Sequence, residues 1–460
     1  ANPMPEDSVR TFIYLFRHTG GFKTKMRSKK LLVLATGVLS IVALASCGNG
    51  GNGIDSKRVE DVIAQAQKMD KADLYKKAME EINGKKFAVV ANSSRMKDSA
   101  PAWKAYCQAN YDANFEFEFS TTQPKNNQIF AQIKGDVTGK EHNLSMTLIQ
   151  DGSQIKAKML KTGYLLNYIP KEWDGDKAKD GEPLALQSLS KVFAYNNGGG
   201  ASYTNVWDFA LKVKTQFMSP SSEPVGQNFL YMLTRSDYAA VVKEAYDALG
   251  AEDKKAVDDV IALKDAGIEQ VYIDGGFTDE NVKYSLAWIY SFLKNYTAVA
   301  DDGPISVNLT QKSAEGAAGL LVYSKFRSIA ETETTSCKII DVAAYQNGYK
   351  GFGGYMYKHY LQVLATSPFP WTSCALINWM TTEKDGFQPW GKDAGGYSSS
   401  PTVQSNFDHS NDGGTETPVK NDKGYAWWTA NEAGKGRLVM EDGEYCDKVA
   451  SVMADWIAYL

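Results

Sequence analysis

The stretch "KKFAVVANSSR", residues 85–95, decides the fold. Phe87 to Ala91 is a continuous apolar run of strand length, which marks a strand buried on both faces. Asn92-Ser93-Ser94 stops it, and the helical stretch "APAWKAYCQAN" follows from Ala100. The same unit recurs downstream. "NFEFEFSTT" alternates and ends in Ser120-Thr121-Thr122 before the helix "NNQIFAQIKG", where Ile129, Gln132 and Ile133 stand at helical spacing. "NLSMTLIQDGSQ" is a third strand, and "IKAKMLKTGYLLNY" begins with a helix. Strand, polar turn, helix, strand is the rhythm of a mostly parallel sheet.

In such a sheet ligands sit at the carboxyl ends of the strands, where helix amino-termini offer free N–H groups. Ser93-Ser94, Thr121-Thr122 and Gln150-Asp151 all fall there. Taken singly, each cluster is an ordinary helix cap. Three on one edge predict a binding rim.

On the amino-terminal side, "SKRVEDVIAQAQKMDKADLYKKAMEEING" reads as two helices, the second capped by Gly84. On the carboxyl side, "KVFAYNNGGGASYTN" is a strand running into a glycine-rich bend, as expected of a crossing between lobes. "SDYAAVVKEAYDALG" and "KYSLAWIYSFLKNY" are amphipathic helices. "GPISVNL" and "LLVYSKF" are read as strands of a second small α/β lobe. "GYMYKHYLQV" is a further strand, with a helix from about Trp371, and "YCDKVASVMADWIAYL" is a closing helix.

The start of the chain has another texture. "LLVLATGVLSIVALASCGNGGNG", residues 31–53, holds 14 uncharged residues up to Leu44, preceded by Lys25, Arg27, Lys29 and Lys30. A spanning helix needs about 20 apolar residues. The run suits the core of a secretory signal that starts at Met26, and residues 1–25 are set aside as an upstream artefact. "LASC" resembles a bacterial lipobox, which implies cleavage after residue 46, lipid on Cys47 and a flexible tether to residue 55.

Without residues 1–46 the chain loses seven Lys/Arg and two Asp/Glu, so its formal charge moves from −4 to −9. That balance excludes nucleic acid as the expected partner. About 410 mature residues exceed what one core serves, so two lobes are expected. The 25 Tyr and 10 Trp are core or interface residues, with a surplus suited to gripping polar solutes. Cys107, Cys337, Cys374 and Cys446 lack C-x-x-C spacing, which argues against zinc; two disulfides in any of three pairings, or free buried thiols, remain open. No nucleotide-cradling glycine motif, G-x-S-x-G elbow or H-E-x-x-H is present.

Four segments together resemble the extracellular solute-binding lipoproteins of bacterial ABC importers, of the ferric-iron and polyamine type. These are "FAVVANSSR", "IKAKMLKTGYLLNYIPKEW", "KVFAYNN" and "LATSPFPWTSCALINWMTTEKDGFQPWGKDAGGYSSSP". The resemblance implies a type II periplasmic binding protein fold: two α/β lobes with mostly parallel sheets, joined by crossing hinge strands. It implies lobe 1 from 56–193 with 355–460 and lobe 2 from 194–354. It further implies a monomeric receptor on the outer face of the membrane, working with a permease and its ATPase, with no catalysis and no cofactor.

The ligand contacts expected on this reading are Ser93, Ser94, Thr121, Thr122, Gln150, Asn196, Tyr323 and Tyr355, with Cys47 as the lipidation site. Ferric-binding members use adjacent tyrosines, and no Tyr-Tyr dipeptide occurs here; Tyr355 and Tyr357 share one strand face instead. An organic or anionic solute therefore ranks above ferric ion, and no metal site is expected. His359 is read as structural, and Asp408, His409 and Asp412 as a solvated loop rather than a calcium site. The competing functions are an extracytoplasmic lipoprotein hydrolase and a surface lipoprotein that binds carbohydrate polymers.

Overall fold

The computed structural model describes residues 53–124, 128–221, 223–333, 340–407, 409 and 422–460. The signal-like segment, Cys47, Cys337, Asp408 and Asp412 lie outside the described residues.

The early strands form where the apolar runs predict them: β1 (Lys86–Ala91), β2 (Glu118–Thr122) and β3 (Met146–Ile149). β1 pairs in parallel with both neighbours, Val89 lying opposite Thr121 on one side and Met146 on the other. β4 (Leu165–Leu166) is short, and β5 (Ala185–Asn196) is 12 residues long and buried throughout. β6 (Gln216–Met218), β7 (Thr297–Val299) and β8 (Ala318–Val322) make a second parallel group, with β6 between the other two. β9 (Ile340–Val342), β10 (Gly354–Leu364), β11 (Gly396–Ser398) and β12 (Val439–Met440) complete the set.

All 12 strands belong to one sheet, whose main path runs β2-β1-β3-β10-β5-β8-β6-β7. Its centre is antiparallel: β10 runs against both β3 and β5, and β5 runs against β8. Reversal across β10 and β5 points the carboxyl ends of the two parallel groups toward each other. The expected pair of α/β lobes joined by crossing strands is therefore present, with β5 and β10 as the crossing pair.

Each group carries its own core. Around β1–β3 pack Tyr75, Trp103, Phe115, Phe117, Trp379 and Phe387. Around β6–β8 pack Phe193, Phe209, Phe217, Phe229, Trp288 and Phe292, with Phe193 stacked on Phe209 at 4.4 Å and Trp288 on Phe292 at 4.7 Å. The closing helix Gly443–Tyr459 buries Cys446, Val449, Met453 and Trp456 in this second core. Cys107, Cys374 and Cys446 are buried free thiols.

Two local readings are corrected. "LLVYSKF" is strand only to Val322: Tyr323–Lys325 forms a 3-10 turn, and Phe326 opens the helix Phe326–Glu333. "GPISVNL" is not a strand but part of the helix Asp302–Leu309. The Asp301 carboxylate accepts from the Gly303 amide at 2.9 Å and caps the first turn. Ile305 and Leu309, four apart, are buried, whereas Val307 is 63% exposed. Cap and period-four burial outweigh the β-branched composition.

Gly354 opens β10 at φ 150°, and a Cβ there would lie 2.0 Å from the Lys191 carbonyl oxygen of β5. Gly354→Ala forces the crossing strands apart and is expected to cost about 3 kcal/mol in a denaturant unfolding measurement. A loss below about 0.5 kcal/mol would show that the crossing pair tolerates displacement.

Candidate functional site

Where the two sets of strand ends face each other, a cavity of about 430 Å³ opens. The first lobe contributes Asn92, Ser93, Ser94 and Arg95 after β1, Gln123 and Pro124 after β2, and Gln150 after β3. The second contributes Met218 at the end of β6 and Glu223 beyond it, Ala300 and Asp301 after β7, and Ser324, Lys325 and Arg327 after β8. The crossing strands supply the floor: Gln187 and Leu189 of β5, Tyr357 and His359 of β10.

The first-lobe wall is the entry to a helix. Ser93 and Ser94 precede the helix Met96–Asn110, and their carbonyls accept from the Met96 and Lys97 amides at 3.2 and 3.4 Å. Those bonds engage the first helix amides, and what this end offers an electron-rich group is the positive end of the helix dipole. Trp390 donates its indole N–H to Ser93 Oγ at 3.3 Å. The Gln150 amide donates to Asn92 Oδ1 at 3.0 Å, which ties the β1 and β3 turns together.

Charge in the cleft is mostly paired. Arg95 Nη1 donates to the Pro389 and Trp390 carbonyls at 3.0 and 3.2 Å, and Nη2 donates to Asp393. Arg327 Nη1 donates to the same Asp393 oxygen at 2.8 Å, so one carboxylate joins an arginine from each lobe. Glu223 is buried and caps the helix Pro224–Met232 through the Val225 and Gly226 amides at 3.2 and 2.6 Å. Burial pushes its carboxyl up, while Lys191 pulls it back. Behind Glu223, Lys191 of β5 lies 3.5 Å from Asp302, and both are buried.

The floor is uncharged. His359 stands opposite Gln187 in the β5–β10 register, and Gln187 Nε2 meets His359 Nδ1 at 3.1 Å. Burial, helped by the Arg95 charge, lowers the His359 pKa to about 3, so the ring is neutral at physiological pH. Burial holds the Tyr357 phenol well above its usual value.

Of the contacts expected from sequence, Ser93, Ser94 and Gln150 line this cleft, and five do not. Thr121 lines a separate surface depression with Lys97 and Phe119, and Thr122 Oγ1 accepts from Gln132 Nε2 at 3.2 Å. The cleft takes the next residues, Gln123 and Pro124, because β2 runs to Thr122. Asn196 sits at the far end of β5, where Nδ2 donates to the Leu309 carbonyl at 2.9 Å. Tyr323 is buried, its hydroxyl 3.1 Å from that of Tyr345. Tyr355 packs in the core 5.4 Å from the Phe229 ring.

Tyr355 and Tyr357 do share a face, stacked at 6.3 Å, but it is Tyr357 that reaches the cavity. Arg95, Gln187, Glu223, Arg327 and Trp390 escaped the sequence reading. Arg95 and Tyr357 were within reach, as neighbours of Ser94 and Tyr355. The others depend on long-range pairing that has no local signal. His409, weighed as a calcium ligand, lies 2.7 Å from the Gly391 carbonyl through Nε2.

A second cavity, of about 470 Å³, lies against Lys358 and Tyr360, with Glu441 in its wall. There Asn228 of the second-lobe helix Pro224–Met232 donates to Asp151 at the end of β3 at 3.1 Å and to Glu441 at 3.5 Å. Tyr360 donates to Glu441 Oε2 at 3.0 Å. Burial, then repulsion by Asp151, pushes the Glu441 carboxyl up to about 7.

No known family model matches the sequence, and no curated protein matches it. Solved structures similar in fold include iron-bound HitA from Pseudomonas aeruginosa, at 11% identity over 80% of this chain and 99% of that one, TM-score 0.49. An ABC transporter substrate-binding protein from Bradyrhizobium japonicum USDA 110 is similar at 9% identity over 82% and 100%, TM-score 0.49. Apo ferric ion-binding protein A from Pasteurella haemolytica follows at 10% identity over 81% and 98%, TM-score 0.47. At these TM-scores the likeness carries no weight for function, which rests on the cleft itself.

Proposed function

We propose that this chain is a solute-binding receptor that captures a small polar solute between its lobes and delivers it to the permease of an ABC importer. The observation that carries this reading is the convergence of six strand ends, three from each lobe, on one cavity floored by the crossing strands. A solute held by both walls favours the closed arrangement, since its contacts on the second wall form only on closure.

The lipobox-like "LASC" supports an anchor on Cys47, and with it a place outside the membrane and one receptor per tether. The lobe division expected from sequence, 56–193 with 355–460 against 194–354, is kept with one revision. Residues 428–460 are assigned to the second lobe because Trp428, Val439, Met453 and Trp456 join its core.

A binding protein is favoured over an enzyme because the buried cleft carboxylate Glu223 is engaged in capping, and the cleft imidazole is neutral and faces a carboxamide. An organic or anionic solute is favoured over ferric ion because Tyr357 is the single tyrosine among the described cleft residues.

Purified residues 47–460 should melt at a higher temperature in the presence of one class of solute, with saturation. A ligand at about 100 times its Kd stabilises a native protein by about 2.7 kcal/mol. An unchanged melting temperature across sugars, organic acids, oxyanions, amines and ferric citrate would contradict the reading.

A further inference from the structure

Resting on that receptor reading, we infer that the solute is a small organic anion that also bears an uncharged hydroxyl or amide group. Arg327 holds its charge, and the Gln187–His359 pair holds the neutral group.

The charge argument starts from what is already engaged. Arg95 is already held by three bonds, with Nη1 on two carbonyls and Nη2 on Asp393. Arg327 uses Nη1 alone; its Nε and Nη2 have no partner among the described residues, and its side chain is 46% exposed. An arginine fork with two free N–H directions in a partly dry cleft suits a carboxylate or another planar oxyanion. Lys325 adds a second cation on the same wall, only 4.0 Å from Asp301 and so weakly held. Opposite them stands the amino-terminal turn before Met96, with Ser93 and Ser94. The carboxylates that line the cleft are each engaged by helix amides: Glu223 accepts two, and Asp301 caps its own helix.

The floor asks for something different. With Gln187 Nε2 donating to Nδ1, the His359 proton resides on Nε2, the nitrogen left for an occupant of the cleft. Gln187 Oε1 is buried and has no partner, in a residue only 1% exposed. An unsatisfied buried acceptor costs free energy, which a donor from a bound solute would recover. A donor and an acceptor side by side, both neutral, match a hydroxyl or an amide and do not match a bare hydrocarbon or a cation.

The test uses gluconate, tartrate and succinamate as probes, with sorbitol, propionate and putrescine as their counterparts lacking the charge, the neutral group or the anionic sign. Melting temperature and titration calorimetry on residues 47–460 should show binding by at least one of the first three. Arg327→Gln and Gln187→Met should each weaken that binding at least tenfold while leaving the unliganded melting temperature near the wild-type value. Sorbitol or putrescine binding with no response to the acids would overturn the inference and leave the receptor reading standing. Equal affinity in the wild type and both variants would also overturn it. No response to any of these compounds, nor to the wider panel above, would overturn both.

Discussion

Asp302→Asn is expected to lose about 3–5 kcal/mol of stability in denaturant unfolding, the range for breaking one side of a buried ion pair. Asp302 meets Lys191 at 3.5 Å through Oδ1, and both side chains are at most 6% exposed. Its other oxygen accepts from the Val322 amide at 3.1 Å, which fixes the start of helix Asp302–Leu309 to the end of β8. Burial pulls the Lys191 pKa down, and the attraction of Asp302 and then Glu223 more than restores it. Asparagine keeps an acceptor for Val322 and removes the countercharge. Lys191, on the crossing strand, then keeps only the weaker attractions of Glu223 and Asp301. Lys191→Met added to Asp302→Asn removes the orphaned charge and should recover most of the loss, since an apolar replacement of a buried pair is often neutral. Strictly additive losses in the two single variants and the double would show that the pair is not coupled.

Glu441→Gln is expected to change the pH dependence of stability by a comparable amount. The carboxyl has a folded value of about 7 against an ordinary value of 4.5. A raised carboxylate binds its proton more tightly in the folded state, so its contribution is fully present below pH 4.5 and is lost as pH rises through 7. The window of about 2.5 units corresponds to about 3 kcal/mol. Glutamine imitates the protonated carboxyl toward Tyr360 and the Lys358 amide, the two donors to Oε2 in the native site. The variant should therefore gain on the wild type between about pH 4.5 and 7 and run parallel to it below. Asp151 is displaced in the same direction, by burial first. Parallel curves across the whole range would show that folding does not displace the Glu441 carboxyl from its ordinary value. Because Asn228 joins Asp151 to Glu441, this proton also bears on how the two lobes meet.

The sequence made the first lobe nearly transparent. Phe87 to Ala91, "NFEFEFSTT" and "NLSMTLIQ" each carry a strand period and a polar stop, and local chemistry suffices for both. Of the crossing strand only the later part, "KVFAYN", was legible; its first half carries Gln187, Ser188 and Ser190, polar residues buried by pairing with distant β10 and β11. "GPISVNL" misled because seven residues with alternating apolar positions fit either period, and the deciding signal was a cap two residues outside the window at Asp301. The site divides the same way. Ser93, Ser94 and Gln150 follow from strand ends, a local property. Arg327, Gln187 and Glu223 reach the cavity through a sheet that joins residues more than 100 apart in the chain, and no single stretch announces that. Tyr355 and Tyr357 show the limit sharply: period two placed both rings on one face, but the depth of the core against Phe229 decided which one meets solvent.

The most direct test of the receptor account is a crystal structure of residues 47–460 with whichever compound gives the largest thermal shift. The compound should lie in the cavity above Tyr357 and His359, touching Ser93, Ser94 or Gln150 on one side and Ser324 or Arg327 on the other. Density for the compound against one lobe alone, or outside the cavity altogether, would contradict it.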